Sequence, residues 1–196
     1  MSPPGLRERK KVRTAAKIEE IALRLFSERG YDATTVDEIA AEAEIAPRTF
    51  FRYFPSKEDV VLGHYEQRMT LLRSALAKRP GTEAPMMALR HAFHEVGRDF
   101  EAHHEALLRR TMLIATTPSL RARNLELQIG WERVIAEAIA ARRGVEANDM
   151  QVRLVAACAV AAMRVALERW VTAGGTASLP EQFDRCLDLV ERGLGD

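Results

Sequence analysis

Residues 47–57, PRTFFRYFPSK, concentrate aromatic and basic side chains that could contact a nucleic acid. The segment holds three phenylalanines and a tyrosine among two arginines and a lysine, and so short a stretch cannot bury four rings by itself. On a helix, Phe50 and Phe54 share one face because they are four residues apart. The side chains left on other faces are Arg48, Phe51, Arg52 and Tyr53. Since arginine and aromatic side chains contact phosphates and base edges, these residues suit a DNA groove.

Two helices are predicted before this segment. Apolar residues recur at helical spacing up to Phe26, and Gly30 is suited to end that helix, which should span about residues 11–29. In TVDEIAAEA, Thr35 and Glu38 fit a capping box, which predicts a short second helix with a sharp start.

A third helix should begin at Pro47, because proline is preferred in the first helical turn. It follows the second helix after a turn of about three residues, and Ser56 is placed to cap a fourth helix. Helix, short turn, helix is the spacing of the helix-turn-helix, whose second helix enters the major groove of DNA.

Beyond Ser56 the apolar spacing stays helical and predicts an all-α chain with six further helices. The first of these should run unbroken through Tyr65 to Leu76. Ser178 and Glu181 form another capping box before the last helix. Breaks are predicted at Pro80-Gly81, Thr117-Pro118, Gly144 and Gly174-Gly175.

The distribution of charge is more informative than its total. The formal net charge is only +1, but the first seventeen residues carry six basic side chains against one acid, Glu8. The six are Arg7, Arg9, Lys10, Lys11, Arg13 and Lys17. They form either a solvated basic tail or an arm that contacts phosphates.

Composition argues against several other classes of protein. Cys158 and Cys186 lack the spacing of a zinc module or a disulfide framework. They are expected to be buried small residues, with a redox pair as the minor alternative. We find no leader with a long apolar run and no stretch of roughly 18 uninterrupted apolar residues. The sequence therefore predicts a cytoplasmic protein without a membrane partner.

A metal site is not expected, because only one pair of the five histidines is one helical turn apart. The histidines are His64, His91, His94, His103 and His104.

The stretch ALRLFSERGYDATTVDEIAAEAEIAPRTFFRYFPSKEDVV resembles the DNA-binding domain of the TetR family of bacterial regulators. The resemblance covers about residues 11–61 and includes the helix end LFSERGY, the second helix TTVDEIA and the segment FRYFPSK. It implies a homodimer whose amino-terminal domain binds a palindromic operator in double-stranded DNA. It also implies that a small effector bound by the larger helical domain releases the DNA.

The same resemblance implies a set of DNA contacts. Thr49, Tyr53 and Lys57 would contact phosphates, with Thr35 beside another phosphate and Arg13 in the basic arm. Base edges would be met by Arg48, Phe51 and Arg52.

Three residues depart from the family's pattern. Glu44 stands where the family usually has glycine in the turn, so it must adopt the turn conformation without glycine's freedom. Ala46 stands where a capping serine is frequent. Phe51 replaces a frequent tyrosine and would give mainly apolar contact, for instance with a thymine methyl group.

The second half of the chain predicts an effector cavity and a dimer interface. The stretch TPSLRARNLELQIGWERVIAEAIAARRG is similar to the effector domain of the mycofactocin-associated and acyl-CoA-responsive branch, which implies an acyl-CoA-like or other apolar effector. Core packing is the competing explanation for Trp131 and its neighbours. Helical spacing predicts a cavity lined from among Met86, Leu89, Phe93, Phe100, Met112, Leu127 and Trp131. The alanine-rich last two helices predict an isologous four-helix interface through Val155, Ala159, Ala162, Ala166, Leu187 and Val190.

These features predict a ligand-responsive repressor without a cofactor. A helix-turn-helix DNA-binding domain should occupy residues 1–58, and an effector-binding and dimerisation domain residues 59–196. An enzyme is a weaker alternative, because the sequence has no phosphate loop, nucleophile elbow or HExxH motif. A helical adaptor is the third, and the exposed aromatics beside Arg48 and Arg52 argue against it.

Overall fold

The protein is described by a computed structural model that covers residues 5–63 and 65–193. His64 and the side chains of Arg7 and Glu8, all considered above, lie outside the described part of the chain. Within it no strand occurs, which confirms the predicted all-α class. The helices found there are α1 (Leu6–Arg29), α2 (Val36–Glu42), α3 (Pro47–Tyr53), α4 (Lys57–Leu62), α5 (Tyr65–Ala77), α6 (Pro85–Ala102), α7 (His104–Thr116), α8 (Pro118–Arg143), α9 (Met150–Thr172) and α10 (Leu179–Glu191).

Local signals place most of the helix starts where the sequence predicts them. At α2 the Glu38 amide donates to the Thr35 hydroxyl at 3.2 Å, and the Glu38 carboxylate accepts from the Thr35 amide at 2.8 Å. The hydrogen bonds that the Glu38 carboxylate accepts from the Thr35 amide and the Thr35 hydroxyl lower the pKa of Glu38. The Ser56 hydroxyl caps α4 by accepting from the Asp59 amide at 3.2 Å. At α10 only half of the predicted capping box is found, in which the Ser178 hydroxyl accepts from the Glu181 amide.

Helix α1 begins at Leu6, earlier than the predicted start near residue 11. Its first turns are rich in lysine, arginine and glutamate, which favour helix but carry no apolar periodicity. The basic residues from Arg9 onward therefore project from a helix and not from a tail.

The helix predicted from Ser56 to Leu76 is divided in two, which corrects the sequence interpretation. Helix α4 ends at Leu62, where the Gly63 amide donates to the Asp59 carbonyl at 2.7 Å, and α5 begins at Tyr65. Glycine lowers helix propensity, so Gly63 is a favourable place for the break.

Two hydrophobic clusters lie on either side of this break. The first cluster is formed by helices α1, α2, α3 and α4, together with Leu113 of α7 and Leu120 of α8. The second cluster is formed by helices α5 through α10 and surrounds Trp131 and the fully buried Trp170. The buried residues of α4, Val60, Val61 and Leu62, belong to the first cluster. The domain boundary between residues 58 and 59 stays a prediction. The buried side chains of α4 that follow this boundary pack with the helices that precede it.

Helix α9 is long and apolar enough, by length and composition, to cross a membrane. It is nevertheless the central helix of the second cluster, where Ala159, Ala166 and Trp170 are fully buried. The Trp170 indole N–H donates to the Ala177 carbonyl at 2.8 Å. These contacts are those of a core helix in a folded domain.

Candidate DNA-binding surface and internal cavity

Helix α3 divides its side chains between the core and solvent. Phe50 is fully buried, and its ring centroid lies 5.7 Å from that of Phe54 and 5.5 Å from that of Phe51. Phe51 is nevertheless 52% exposed, and Arg48 and Arg52 are exposed beside it. The four aromatic rings of residues 47–57 therefore fall into two pairs. Phe50 and Phe54 pack together and support α3, whereas Phe51 and Tyr53 are the pair proposed to contact a DNA groove.

Tyr53 marks a positively charged junction between α3 and α1. The Arg52 guanidinium lies over the Tyr53 ring, 5.2 Å from its centroid, and Nη2 donates to the Tyr53 hydroxyl at 3.4 Å. Hydrogen bonds from Arg52 and then Thr14 lower the pKa of Tyr53, and the charges of Arg52 and Lys11 act in the same direction. A hydroxyl held among cations suits a DNA phosphate.

The remaining predicted DNA contacts are Arg13, Thr35 and Thr49. Arg13 is exposed on α1, Thr35 is exposed at the start of α2, and Thr49 is half-buried on α3. Their contacts with DNA stay predictions.

The turn between α2 and α3 contains a residue in a strained conformation. Glu44 has a φ of 58°, in the left-handed region that favours glycine, as its departure from the family pattern led us to expect. The Lys17 ammonium reaches across from α1, donating to the Ala43 carbonyl at 3.2 Å and lying 3.5 Å from the Glu44 carboxylate. Ala46 provides no side-chain cap for α3.

We expect Glu44→Gly to raise the free energy of unfolding by about 0.5–1 kcal/mol. The gain from removing left-handed strain should exceed glycine's larger loss of chain entropy. Chemical denaturation measures the change, with Glu44→Ala as the control because it removes the exposed carboxylate but keeps the strain. A gain from alanine equal to that from glycine would show that charge, not strain, limits stability here.

Lys57 holds the loop before α2 against the start of α4. Its ammonium donates to the Tyr31 carbonyl at 2.7 Å and to the Thr34 carbonyl at 3.0 Å, and it lies 4.2 Å from the Tyr31 ring centroid. Two of its three N–H donors are thus engaged within the chain. One N–H donor remains for the phosphate contact that the resemblance implies. In the structure, Lys57 positions the loop before α2.

We expect Lys57→Met to lower the free energy of unfolding by about 1–2 kcal/mol, because it removes a charged donor from two backbone carbonyls while keeping most of the apolar stem. The dependence of operator affinity on salt should change by well under one unit of log-log slope. Thermal unfolding and binding at several salt concentrations separate the two effects. Unchanged stability with a slope reduced by about one unit would restore Lys57 to the phosphate contacts.

A cavity of about 450 Å³ lies among helices α4 to α9. Its volume falls in the range of roughly 300–1,000 Å³ usual for small-molecule sites. Much of its wall is apolar, and Leu107, Ile114 and Met163 line it. Val61 and Leu62 of α4 also reach it, although both belong to the amino-terminal cluster. The cavity therefore borders both packing units.

Arginine dominates the charged part of the cavity wall. Arg164 pairs with Glu168 at 3.1 Å, and Arg68 lies over the Phe100 ring, 4.3 Å from its centroid. Burial lowers the pKa of Arg68, and also that of Arg110, to about 10. The charged lining residues are Arg68, Arg110, Arg121, Arg164 and Glu168. Such a wall accommodates an apolar chain that carries an anionic group.

The predicted lining residues did not include the arginines or Tyr65, although the sequence contains a signal for Arg110. Arg110 occupies an apolar-stripe position of α7, at helical spacing between Leu107 and Ile114. Tyr65, which also lines the cavity, donates its hydroxyl to the Leu127 carbonyl, and burial raises its pKa to about 12. A charged residue within an apolar stripe is the pattern that would have drawn attention to the wall.

Three of the predicted lining residues are found in the cavity wall: Phe100, Leu127 and Trp131. The other four require correction. Leu89 and Phe93 are buried in the second cluster, and Met86 packs against it. Met112 is 58% exposed on the outer side of α7. Periodicity identifies an apolar stripe, but it does not show which part of the stripe faces a void.

The predicted dimer residues fall into two groups that differ in burial. Ala159, Ala162, Ala166 and Leu187 are buried within the chain itself, so their direct contact with a second subunit is not supported by this packing. Val155 and Val190 are half-buried. An exposed apolar face remains on the same two helices, and we call it the α9–α10 face. Its residues are Leu154, Ala161 and Val165 of α9 and Leu189 of α10.

His91 and His94 lie beside separate carboxylates. His91 Nδ1 lies 3.0 Å from Glu83, and His94 Nε2 lies 2.8 Å from Asp184 on α10. In the described ranges no three His, Cys, Asp or Glu side chains are grouped to hold a metal ion.

The braced α3 and the helical domain behind it define a helix-turn-helix DNA-binding protein with a second, all-α domain. Residues 18–63 match the profile described as bacterial regulatory proteins, tetR family, and residues 83–195 match the MftR C-terminal domain. The chain belongs to the TetR family of transcriptional regulators. Since this family is not enzymatic, the prediction that the chain is not an enzyme is confirmed.

Two relatives match nearly the whole chain. The transcriptional regulator TcmR of Streptomyces glaucescens is 38% identical over 97% of this chain and 88% of its own length. A protein described as a mycofactocin biosynthesis transcriptional regulator, MftR of Mycobacterium tuberculosis, is 30% identical over 95% of this chain and 93% of its own length.

Solved structures share the fold. FadR of Thermus thermophilus, a TetR family transcriptional repressor in complex with lauroyl-CoA, superposes with a TM-score of 0.64 at 26% identity, covering 93% of this chain and 95% of its own. FadR of Bacillus halodurans gives a TM-score of 0.67 at 19% identity, covering 98% of each chain, and shows the fold alone.

Proposed function

We propose that the protein is a cytoplasmic repressor that binds a palindromic operator as a homodimer and leaves it when an amphipathic small molecule fills the cavity. The observation that carries this proposal is the cavity's position. Val61 and Leu62 line it and also belong to the cluster that braces α3. An occupant of the cavity therefore touches side chains that hold the DNA-binding helices.

Dimerisation would place two copies of α3 in the operator. Recognition helices of a two-fold dimer read half-sites about 34–36 Å apart, or at a related groove spacing. The α9–α10 face supplies the second subunit's contact, because it is apolar, exposed and able to meet its own copy about a two-fold axis.

The effector is proposed to have an apolar chain and an anionic group. The apolar wall suits the chain, and the arginines suit the group. The similarity to the lauroyl-CoA complex of Thermus thermophilus FadR supports an acyl-CoA-like ligand. Binding releases DNA only if the effector prefers a conformation with weaker operator affinity, and linkage then requires DNA to weaken effector binding by the same factor.

Three measurements test the proposal. Selection from a random duplex library should return a palindrome bound by the dimer, and titration with lauroyl-CoA, a fatty acid or a co-purified ligand identified by mass spectrometry should release it. Helix α4 transmits the change, so labels on the two copies of α3 should change their separation when the ligand saturates. Selection that returns no preferred sequence would contradict the DNA-binding half, and tight ligand binding without release would contradict the regulatory half.

We expect Arg48→Ala to weaken binding to the best operator by roughly 1–3 kcal/mol and to relax preference at one base pair in each half-site. Arg48 is exposed near the start of α3, the part of a recognition helix that meets base edges. Binding to a library of operator variants measures both effects. An equal loss on every sequence would make Arg48 a phosphate contact instead.

A further inference from the structure

Arg110 connects the cavity to helix α1. It lies on α7, lines the cavity and is 3% exposed. Its Nη2 forms an ion pair with the carboxylate of Glu19, whose side chain on α1 is 17% exposed. Helix α1 also carries Lys11 and Thr14, which act on the Tyr53 hydroxyl at the DNA-binding surface. One side chain thus contacts both the cavity and the helix that frames the DNA-binding surface.

The guanidinium has donor capacity that the ion pair does not use. Nε and Nη2 of Arg110 are both buried and make no regular hydrogen bond among the described residues, although Nη2 lies against the Glu19 carboxylate. A buried donor without a partner is unfavourable, and arginine offers five N–H donors in a planar fork. A carboxylate or phosphate entering the cavity could satisfy Nε and bind the fork bidentately.

We propose that an anionic effector group binds Arg110 from the cavity and draws its guanidinium away from Glu19, and that loss of this ion pair loosens α1 from α7 and lowers operator affinity. This inference rests on the proposed function and names the effector class as an apolar chain bearing a carboxylate or phosphate. Withdrawal of Arg110 removes a charged contact between α7 and Glu19 of α1, whose carboxylate has little access to water. Conformations of α1 that bring this carboxylate to water are then favoured.

The first test needs no effector. Glu19→Gln keeps the shape of the side chain and removes its charge, so it should imitate the effector-bound state and lower operator affinity by about tenfold, within the usual range of allosteric coupling. Removing a negative charge from a DNA-binding protein otherwise strengthens DNA binding. The expected change therefore has the opposite sign to the general electrostatic effect. Glu20→Gln is the matched control, because it removes the same charge from the next, exposed residue of α1.

The second test uses reciprocity. Laurate, lauroyl-CoA and dodecanol provide a carboxylate, a thioester with phosphates and an uncharged alcohol on the same chain. Glu19→Gln should tighten binding of the effective anionic probe by about the factor by which it weakens operator binding, since Arg110 no longer has a competitor. Dodecanol should bind both proteins alike, and comparison of laurate with lauroyl-CoA identifies the anionic group.

The outcomes separate the inference from the function on which it rests. Operator affinity unchanged by Glu19→Gln, or raised as for Glu20→Gln, overturns the inference and leaves ligand-responsive regulation intact. Equal losses of affinity for operator and probe, with a lower unfolding temperature, would make the ion pair merely structural and also overturn it. Release of wild-type protein by dodecanol but by neither anionic probe overturns the effector class. Wild-type protein that selects no operator would instead overturn the proposed function.

Discussion

Glutamate at both Leu154 and Val165 should separate the proposed dimer and reduce operator affinity by roughly 10²- to 10⁴-fold, the advantage that a second linked site provides. Both side chains belong to the α9–α10 face, with exposed fractions of 62% and 38%. A two-fold axis would bring the new carboxylates of both subunits into one apolar interface, where like charges would be desolvated and unpaired. Analytical ultracentrifugation and operator binding measure the two effects.

Met87→Glu provides the control, because Met87 is also an exposed apolar residue, 42% accessible, but lies on α6. It should leave the protein dimeric. A Leu154→Glu/Val165→Glu double variant that remains a dimer at micromolar concentration and binds the operator normally would show that the subunits meet elsewhere.

Thr111→Trp should abolish release by lauroyl-CoA while leaving operator binding unchanged. Thr111 lines the cavity, and an indole there would occupy space that the ligand's chain needs. We expect probe affinity to fall by at least about 100-fold, equivalent to roughly 2.7 kcal/mol. Any loss of stability from overpacking should stay within about 1–3 kcal/mol. Calorimetric titration with lauroyl-CoA and operator competition give the two affinities.

Met112→Trp is the matched control from the next position of α7. Met112 was predicted to line the cavity but is 58% exposed outside it, so its substitution should change neither affinity. If Met112→Trp blocks the ligand and Thr111→Trp does not, the cavity that binds the effector is not the one described.

The amino-terminal helices were largely predictable because their signals are local. Each helix start is fixed by residues at most three apart: Thr35 with Glu38 for α2, Pro47 for α3 and Ser56 for α4. The strained turn at Glu44 was predictable, because the TetR family usually has glycine at this position. Such signals need no knowledge of distant packing.

The cavity and the dimer face depend on packing that the sequence does not specify locally. Ala159 and Ala161 are both small and lie on one alanine-rich helix, yet the first is fully buried in its own chain and the second is exposed. The packing of neighbouring helices against α9 decides between them. The place of Arg110 in an apolar stripe was visible in the sequence, but its pairing with Glu19 was not, since Glu19 lies far away along the chain.

The shared amino-terminal cluster has a consequence for exchanging domains between regulators. Leu113 and Leu120 come from the second half of the chain but bury their side chains among the DNA-binding helices. A chimaera that joins residues 1–63 to the helical half of another regulator would expose that apolar patch unless the new half offered matching side chains at both positions. Reprogramming the operator should therefore succeed more readily by grafting the solvent-facing side chains of α3 onto this chain than by transplanting the whole amino-terminal unit.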